Sequence, residues 1–396
     1  MKISKLSIRH KHSFIGGCLL LIFACCSCVN DDKYSWDEDF ADRTSTDTIK
    51  IQIAYIGSNV TISGDENGYV STNGADVTVK SSSNRFLQLE LTGATENGSL
   101  TIYSWKKIGV LLNGVSITNP NGPAINNQCG KAFYVTMADG TSNTLTDGEA
   151  YDSKIILSSG DTIDQKATLF SEGQIYFQGN GSLTVNGNAR NGIASDDYIV
   201  FENGKVNVNV SENGTNGIKV NDGFTMMNGT LNINVKADGA RGIRNESLTT
   251  ILDGNITIIT SGDCLLETIC AADGTMSVDT TSCAGIKGDD VFTMNGGTLT
   301  ITSSGDGGKG INCDKDICLN GGTMIVKTTG GNDVGKPKAV KSETGIILSG
   351  GSFTATCKKS WACDNGVESD DPADRVTIIG TPTTKSLTKK EMIVVF

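Results

Sequence analysis

A chain of 396 residues with a formal net charge of −11 lacks the basic footprint that nucleic-acid binding requires, so nucleic acid is excluded as a partner. Forty-eight glycines against five prolines, with abundant Thr, Ser and Asn, suit tight corners and stacked polar side chains, while Ala, Leu and Glu are too sparse for a helical repeat. Both histidines, His10 and His12, fall in a leader, so the exported chain has no imidazole for a catalytic triad, zinc ligation or acid–base work.

Lys2, Lys5, Arg9 and Lys11 make a positive start, and Phe14 to Ala24 form an apolar stretch too short to span a bilayer, which predicts a cleaved export signal. The stretch ends in Cys25-Cys26-Ser27-Cys28, and small residues followed by cysteine there resemble a bacterial lipoprotein signal. Residues 1–28 are the expected signal, with Cys28 lipidated because Ser27 precedes it and Val29-Asn30-Asp31-Asp32 follow; Cys25 is the rival. The protein is then expected on the outer membrane, held by its lipid alone and exposed at the cell surface. An ordinary secreted protein is the alternative. Residues 29–50, with Asp31, Asp32, Asp37, Glu38, Asp39 and Asp42 and no apolar periodicity, predict a flexible acidic tether.

From residue 51 to 396 one domain is expected, because a single phrase keeps returning: Gly192-Ile193, Gly217-Ile218, Gly242-Ile243, Gly285-Ile286, Gly310-Ile311, with Val340 as a sixth anchor. Eleven positions after each anchor stands a glycine: Gly204, Gly229, Gly254, Gly297, Gly322 and Gly351. Two and four residues further on, apolar side chains alternate, as in Val206/Val208, Leu231/Ile233 and Leu299/Ile301, the mark of a strand with one buried face. Pairs such as Ile199/Phe201 and Phe292/Met294 predict a second strand before the glycine, so each copy holds two strands and a third segment at the anchor. The longer step from Ile243 to Ile286 is read as containing a degenerate extra copy at Gly262-Asp263-Cys264-Leu265. Coils of about 21–25 residues that keep like residues in like columns predict an all-β parallel β-helix. An antiparallel sandwich would not hold one such register.

Two outward columns are candidates for chemistry. The residue after the anchor reads Ala194, Lys219, Arg244, Lys287, Asn312 and Lys341, and two residues on stand Asp196, Asn221, Glu246, Asp289, Asp314 and Glu343. Basic beside acidic relieves stacked like charges, which repel by about 1 kcal/mol at this spacing even in water. Alternatively, Lys219, Arg244, Lys287 and Lys341 contact an extended acidic polysaccharide. Five residues before the anchor stand Asn188, Asn213, Asp238 and Asp306, with Asp263 in the degenerate copy, and all are turn formers in the first place. Calcium takes about six to eight oxygens, and Asp263, Asp289, Asp290, Asp306 and Asp314 form the candidate ligand set. Trp105, in a polar and basic setting, is the candidate aromatic for a sugar face, with a core role in a capping coil as the alternative.

Beyond the leader eight cysteines remain, Cys129, Cys264, Cys270, Cys283, Cys313, Cys318, Cys357 and Cys363; they permit disulfides but serve equally as small core residues, and the pairing is open.

Several phrases resemble a known family: Leu111-Leu112-Asn113-Gly114-Val115-Ser116-Ile117-Thr118 leading to Gly122-Pro123-Ala124-Ile125, then Gly140 to Gly148, Gly179 to Val185 with Asn191-Gly192-Ile193, and Gly296 to Ile301 followed by Gly305-Asp306-Gly307. Their order is similar to that of the calcium-binding, pectate-lyase-like right-handed β-helix proteins that bind cellulose and acidic sugars. The resemblance implies a right-handed helix and a noncatalytic polysaccharide binder that uses calcium, expected here as a monomer. A calcium-dependent polysaccharide lyase, with one of the column cations as base, is the alternative. A structural or adhesive solenoid is the third.

Overall fold

The computed structural model describes residues 47–151, 162–270, 274–281 and 283–396; the expected signal, Cys28 and nearly all of the tether lie outside them. Ile49–Phe396 form one compact unit. It is a right-handed parallel β-helix of about 11 turns, with no α-helix among the described residues.

Each turn contributes a strand to each of three faces. The first face is a 12-stranded sheet that contains Asn191–Ser195, Ile218–Val220, Arg241–Asn245, Ala284–Gly288, Lys309–Cys313 and Lys338–Ser342. The second carries strands such as Ile175–Gly179, Tyr198–Phe201, Phe292–Met294 and Ile317–Leu319, and the third carries Ser182–Gly187, Lys205–Val210, Thr230–Val235, Asn255–Thr260 and Thr298–Ser303.

The register follows the sequence repeat. Ile193, Ile218, Ile243, Ile286, Ile311 and Val340 lie directly above one another in the first face, and Leu231, Ile256, Leu299, Met324 and Phe353 do so in the third. All of these are buried and fill the core from end to end, together with a stack in which the Phe177 and Phe201 rings are 4.6 Å apart.

The repeated glycines have two separate causes. At the anchors the first face passes so near the third that a Cβ on Gly242 would sit 2.4 Å from Ile258 Cγ2, and one on Gly310 2.0 Å from Val326 Cγ1. At the corner before each third-face strand the backbone takes positive φ, +92° at Gly229 and +73° at Gly297, a region open to glycine and strained for other residues.

One expectation is corrected. Arg241–Asn245 pairs directly with Ala284–Gly288, and Asn255–Thr260 directly with Thr298–Ser303, so no extra coil lies between Ile243 and Ile286. The residues in excess of one ordinary turn form an exposed antiparallel hairpin, Leu265–Cys270 with Met276–Thr281. Alternating side chains look the same in a hairpin arm as in a solenoid strand, which is why the length of the step suggested a coil.

Both ends of the solenoid are closed by antiparallel strands. Asn59–Ser63 pairs with Ile49–Ile56, and Glu391–Val395 pairs with Ser352–Cys357, which blunts edges that would otherwise recruit further strands.

Candidate functional site

On the first face the two charged columns meet. Lys219 Nζ lies 3.2 Å from Glu246, Arg244 Nη2 2.6 Å from Asp289 and 3.9 Å from Glu246, and Lys287 pairs with Asp314 and, at 3.4 Å, with Asp289. Each of these three cations thus reaches the acid of the following coil. Burial alone would raise the Asp289 carboxyl, but the Arg244 hydrogen bond and charge, with Lys287, outweigh it and hold Asp289 below the ordinary range. Lys341 is outside this run and pairs within its own coil, 3.3 Å from Glu343.

The five expected calcium ligands are not gathered in one place. Asp289 and Asp314 belong to the charged columns. Asp290 Oδ1 accepts from the backbone N–H of Val291 at 2.8 Å. Asp263 and Asp306 sit in a corner ladder in which each carboxylate accepts the backbone N–H of the next coil: Asp238 from Asp263 at 2.8 Å, Asp263 from Asp306 at 2.6 Å, and Asp306 from Asp333 at 3.1 Å. That is turn chemistry, repeated coil after coil.

Among the described residues three other carboxylates do converge. Asp164, Glu172 and Asp196 bring oxygens within 4.8 Å of one another. Lys166 Nζ stands between two of them, 2.7 Å from Asp164 and 2.5 Å from Asp196. Burial, with the Asp196 and Asp164 charges, pushes the Glu172 carboxyl up to about 7. Such hard oxygens suit a divalent cation, which would compete with the Lys166 ammonium for them. Asp196 lies in the outward acidic column, whereas Asp164 comes from the connection before Ala167–Ser171, beyond the reach of a repeat-based reading.

The third face presents a different surface. Its outward positions align as Thr144, Thr184, Asn207, Asn232 and Thr257, and beside them Thr146, Asn186, Asn209, Asn234 and Ile259. The carboxamides pass a hydrogen bond along each column: Asn186 Nδ2 to Thr146 Oγ1 at 3.0 Å, Asn209 Nδ2 to Asn186 Oδ1 at 3.1 Å, and Asn232 Nδ2 to Asn207 Oδ1 at 2.9 Å. A primary amide has two N–H donors and two acceptor lone pairs, so an Asn that spends one donor on its neighbour keeps the other for a ligand. Two grooves follow these columns. One of about 650 Å³ is lined by Asn186, Asn209, Asn234, Glu212 and Lys236, among others. The second, of about 340 Å³, is lined by Asn207, Asn232, Thr257 and Ile259, and Ile259 is 46% exposed.

The tryptophans lie elsewhere. Trp105 is exposed at the corner between Gly98–Ser104 of the first face and Ile108–Asn119, near the N-terminal end of the solenoid. Trp361 is held between Arg375, 3.9 Å from the ring centroid, and Lys389, at 4.7 Å.

A family model described as carbohydrate-binding domain-containing protein matches residues 73–333 and, a second time, 266–386. The chain belongs to this family. Over 99 residues it is 34% identical to a carbohydrate-binding domain-containing protein of Acetivibrio thermocellus, covering 24% of this chain and 32% of the relative, so it spans about a third of that relative's length. A solved structure described as the polysaccharide lyase-like protein from C. thermocellum, a gadolinium derivative, aligns at a TM-score of 0.43 with 20% identity, over 73% of this chain and 100% of that one. In this carbohydrate-binding domain the first face offers compensated ion pairs, and the third offers amides and hydroxyls with hydrogen-bonding capacity to spare. The sequence reading singled out the charged columns and passed over the amides, although Asn207, Asn209, Asn232 and Asn234 stand at alternate positions between the apolar residues it used.

Proposed function

We propose that the protein binds polysaccharide along its third face without catalysis, and that its preferred glycan is an extended neutral polymer of the cellulosic kind. The observation that carries this reading is the ladder of Asn186, Asn209 and Asn234 beside Asn207 and Asn232, open to solvent along two grooves. Sugar hydroxyls are both donors and acceptors, and carboxamides meet both roles without charge. An exposed Ile259 at the end of the columns gives the apolar side of a sugar ring a surface to rest on.

An acidic glycan is less favoured, because Lys219, Arg244 and Lys287 already have carboxylate partners. The same pairing weighs against a lyase: a cation already bonded to a carboxylate of the next coil is not placed to reach a substrate proton. Calcium fits best at Asp164, Glu172 and Asp196 in place of the Lys166 ammonium. Export as a surface lipoprotein through Cys28 accords with a glycan binder that must meet polymers outside the cell.

Sedimentation of the purified protein with insoluble cellulose, and affinity gels cast with polygalacturonate with and without calcium, test the reading. Retention on cellulose without release of sugar supports it. Stronger retention on polygalacturonate would move the preference to acidic glycans, ultraviolet-absorbing unsaturated product would establish the lyase, and no retention on any glycan would leave the structural solenoid.

A further inference from the structure

The hairpin leaves and rejoins the solenoid between two cysteines. Its neck is the pair Leu265 and Thr281; Cys264 stands immediately before it and Cys283 shortly after. Both are free, buried thiols, and each is the strongest influence on the other's ionisation. Both sulfurs rest on adjacent residues of the next coil, where a Cβ on Gly307 would come within 2.6 Å of Cys264 Sγ and one on Gly308 within 3.2 Å of Cys283 Sγ. Glycine at these two positions leaves room for a pair of sulfurs.

The surroundings suit thiol chemistry at one of the two. Ala284, next to Cys283, pairs with Arg241 on one side and Lys309 on the other, so two cations flank the site. The hydrogen bond from Cys283 lowers the Cys264 thiol against the opposing effect of burial, and Lys309 adds to the lowering. Cys313 and Cys363 differ: burial pushes the first up to about 12 and raises the second as well. A low-lying thiol next to a second thiol is the arrangement that exchange with a disulfide requires.

We propose that Cys264 and Cys283 are a disulfide-forming pair that locks the neck of the hairpin. The oxidant is a disulfide, either a small molecule such as oxidised glutathione or a protein of the exchange class. The Cys264 thiolate attacks one sulfur of that disulfide, whose S–S bond breaks, leaving a mixed disulfide on Cys264 and releasing one thiolate. Cys283 gives its proton to the released thiolate and attacks the Cys264 sulfur, and the second half of the oxidant departs as a thiolate that takes up the proton Cys264 had lost on ionising. Two protein thiols are oxidised to one disulfide, and the oxidant is reduced to two thiols.

Cys264 and Cys283 are 4% and 0% exposed, so exchange takes place before the hairpin closes over them, and the finished bond is shielded. The hairpin has reason to need it. Leu266, Met276 and Val278 are 60%, 62% and 67% exposed, its two strands form a sheet of their own among the described residues, and an isolated two-stranded hairpin is marginal in water. A covalent neck removes open conformations from the unfolded ensemble.

The test is to refold the chain with oxidised glutathione, alkylate it in denaturant without reductant, digest it and map the peptides by mass spectrometry. The expected result is a cross-linked peptide joining Cys264 to Cys283, with Cys313, Cys357 and Cys363 alkylated. Alkylation of both Cys264 and Cys283, or a link from either to another cysteine, overturns the proposal. The Cys283→Ser chain treated in the same way should carry glutathione on Cys264 in preference to every other cysteine; an adduct spread evenly over the cysteines, or none, overturns the assignment of Cys264 as the attacking thiol. Serine keeps a hydrogen-bond donor at position 283, and the fold of the variant is confirmed by circular dichroism before its adducts are mapped.

Discussion

Arg244 reaches forward one coil to Asp289, Nη2 to Oδ2 at 2.6 Å, while Lys287 from Asp289's own coil closes on the same carboxylate at 3.4 Å. The acid is shared between successive turns, so this contact ties coils together in addition to cancelling charge. Replacing Arg244 with Met should lower stability by about 1 kcal/mol at pH 7, the upper range for a partly exposed pair within a network. The sign with pH follows from Asp289. Its folded pKa lies below the unfolded value, so its contribution is present above about pH 4 and is lost as pH falls through the folded pKa. Urea denaturation of both proteins at pH 7 and pH 3 should show the difference between them shrinking at the lower pH.

Glu172 carries the opposite sign. Its folded pKa, about 7, is above the ordinary carboxyl value, so its contribution is fully present below about pH 4 and is lost as pH rises through 7. Glu172→Gln should leave the melting temperature nearly unchanged at pH 4 and raise it at pH 8. The same cluster tests calcium: adding millimolar calcium at pH 8 should raise the melting temperature of the wild-type protein by mass action, and Asp196→Asn should remove that rise. A calcium response that survives Asp196→Asn would place the ion elsewhere.

The hairpin should be dispensable to the solenoid. The strands on either side of it already pair across the gap, Ile243 with Ile286 and Ile256 with Leu299. Replacing residues 265–281 with a short glycine-serine turn should leave the circular dichroism spectrum of a β-protein and shift the melting midpoint by only a few degrees. Collapse of the fold on deletion would show that these residues act as a coil.

How far the sequence could be read depended on burial. The anchor column at Ile193, Ile218, Ile243 and Ile286 was legible because every member meets the same core wall, so an apolar side chain is demanded at a fixed interval. The Asn ladder occupies the intervening positions of the same kind of strand, but an outward polar residue is the default there, and only the hydrogen bonds between Asn186 and Asn209 and between Asn207 and Asn232 set the column apart. Asp164 was not legible as a partner of Asp196, because it lies outside the repeat in the stretch before Ala167–Ser171, whereas Glu172 stands one coil before Asp196 in the same outward column, upstream of the first anchor at Ile193. The proximity of Cys264 and Cys283 is hidden similarly: by sequence alone the hairpin between them reads as one more coil.

Corner glycines should resist substitution for a geometric reason. At Gly297 φ is +73°, and a Cβ would lie 2.4 Å from the carbonyl oxygen of Gly254 in the preceding coil. Strain at that backbone angle alone costs about 1–3 kcal/mol, and the clash with an unyielding carbonyl adds to it. Gly297→Ala should therefore lower unfolding stability in urea by at least that amount. Gly274, also at positive φ but with open space around its Cβ, is the control: Gly274→Ala should lose less.

Glycan binding should be most sensitive to the amides that line both grooves. Asn209 and Asn234 are shared by the two, and each sits on a strand whose buried positions lie on the opposite side, so truncation removes a polar head without opening a cavity in the core. A hydrogen bond contributes about 1 kcal/mol net, which corresponds to roughly five-fold in affinity per lost contact. Asn209→Ala and Asn234→Ala together should weaken retention on cellulose by about ten-fold or more while the melting temperature stays close to that of the wild type. Lys219→Ala and Lys287→Ala, on the other face, should alter stability slightly and retention not at all. If the lysine changes abolished retention and the asparagine changes did not, the glycan would lie along the charged columns, and the choice between neutral and acidic polymers would reverse with it.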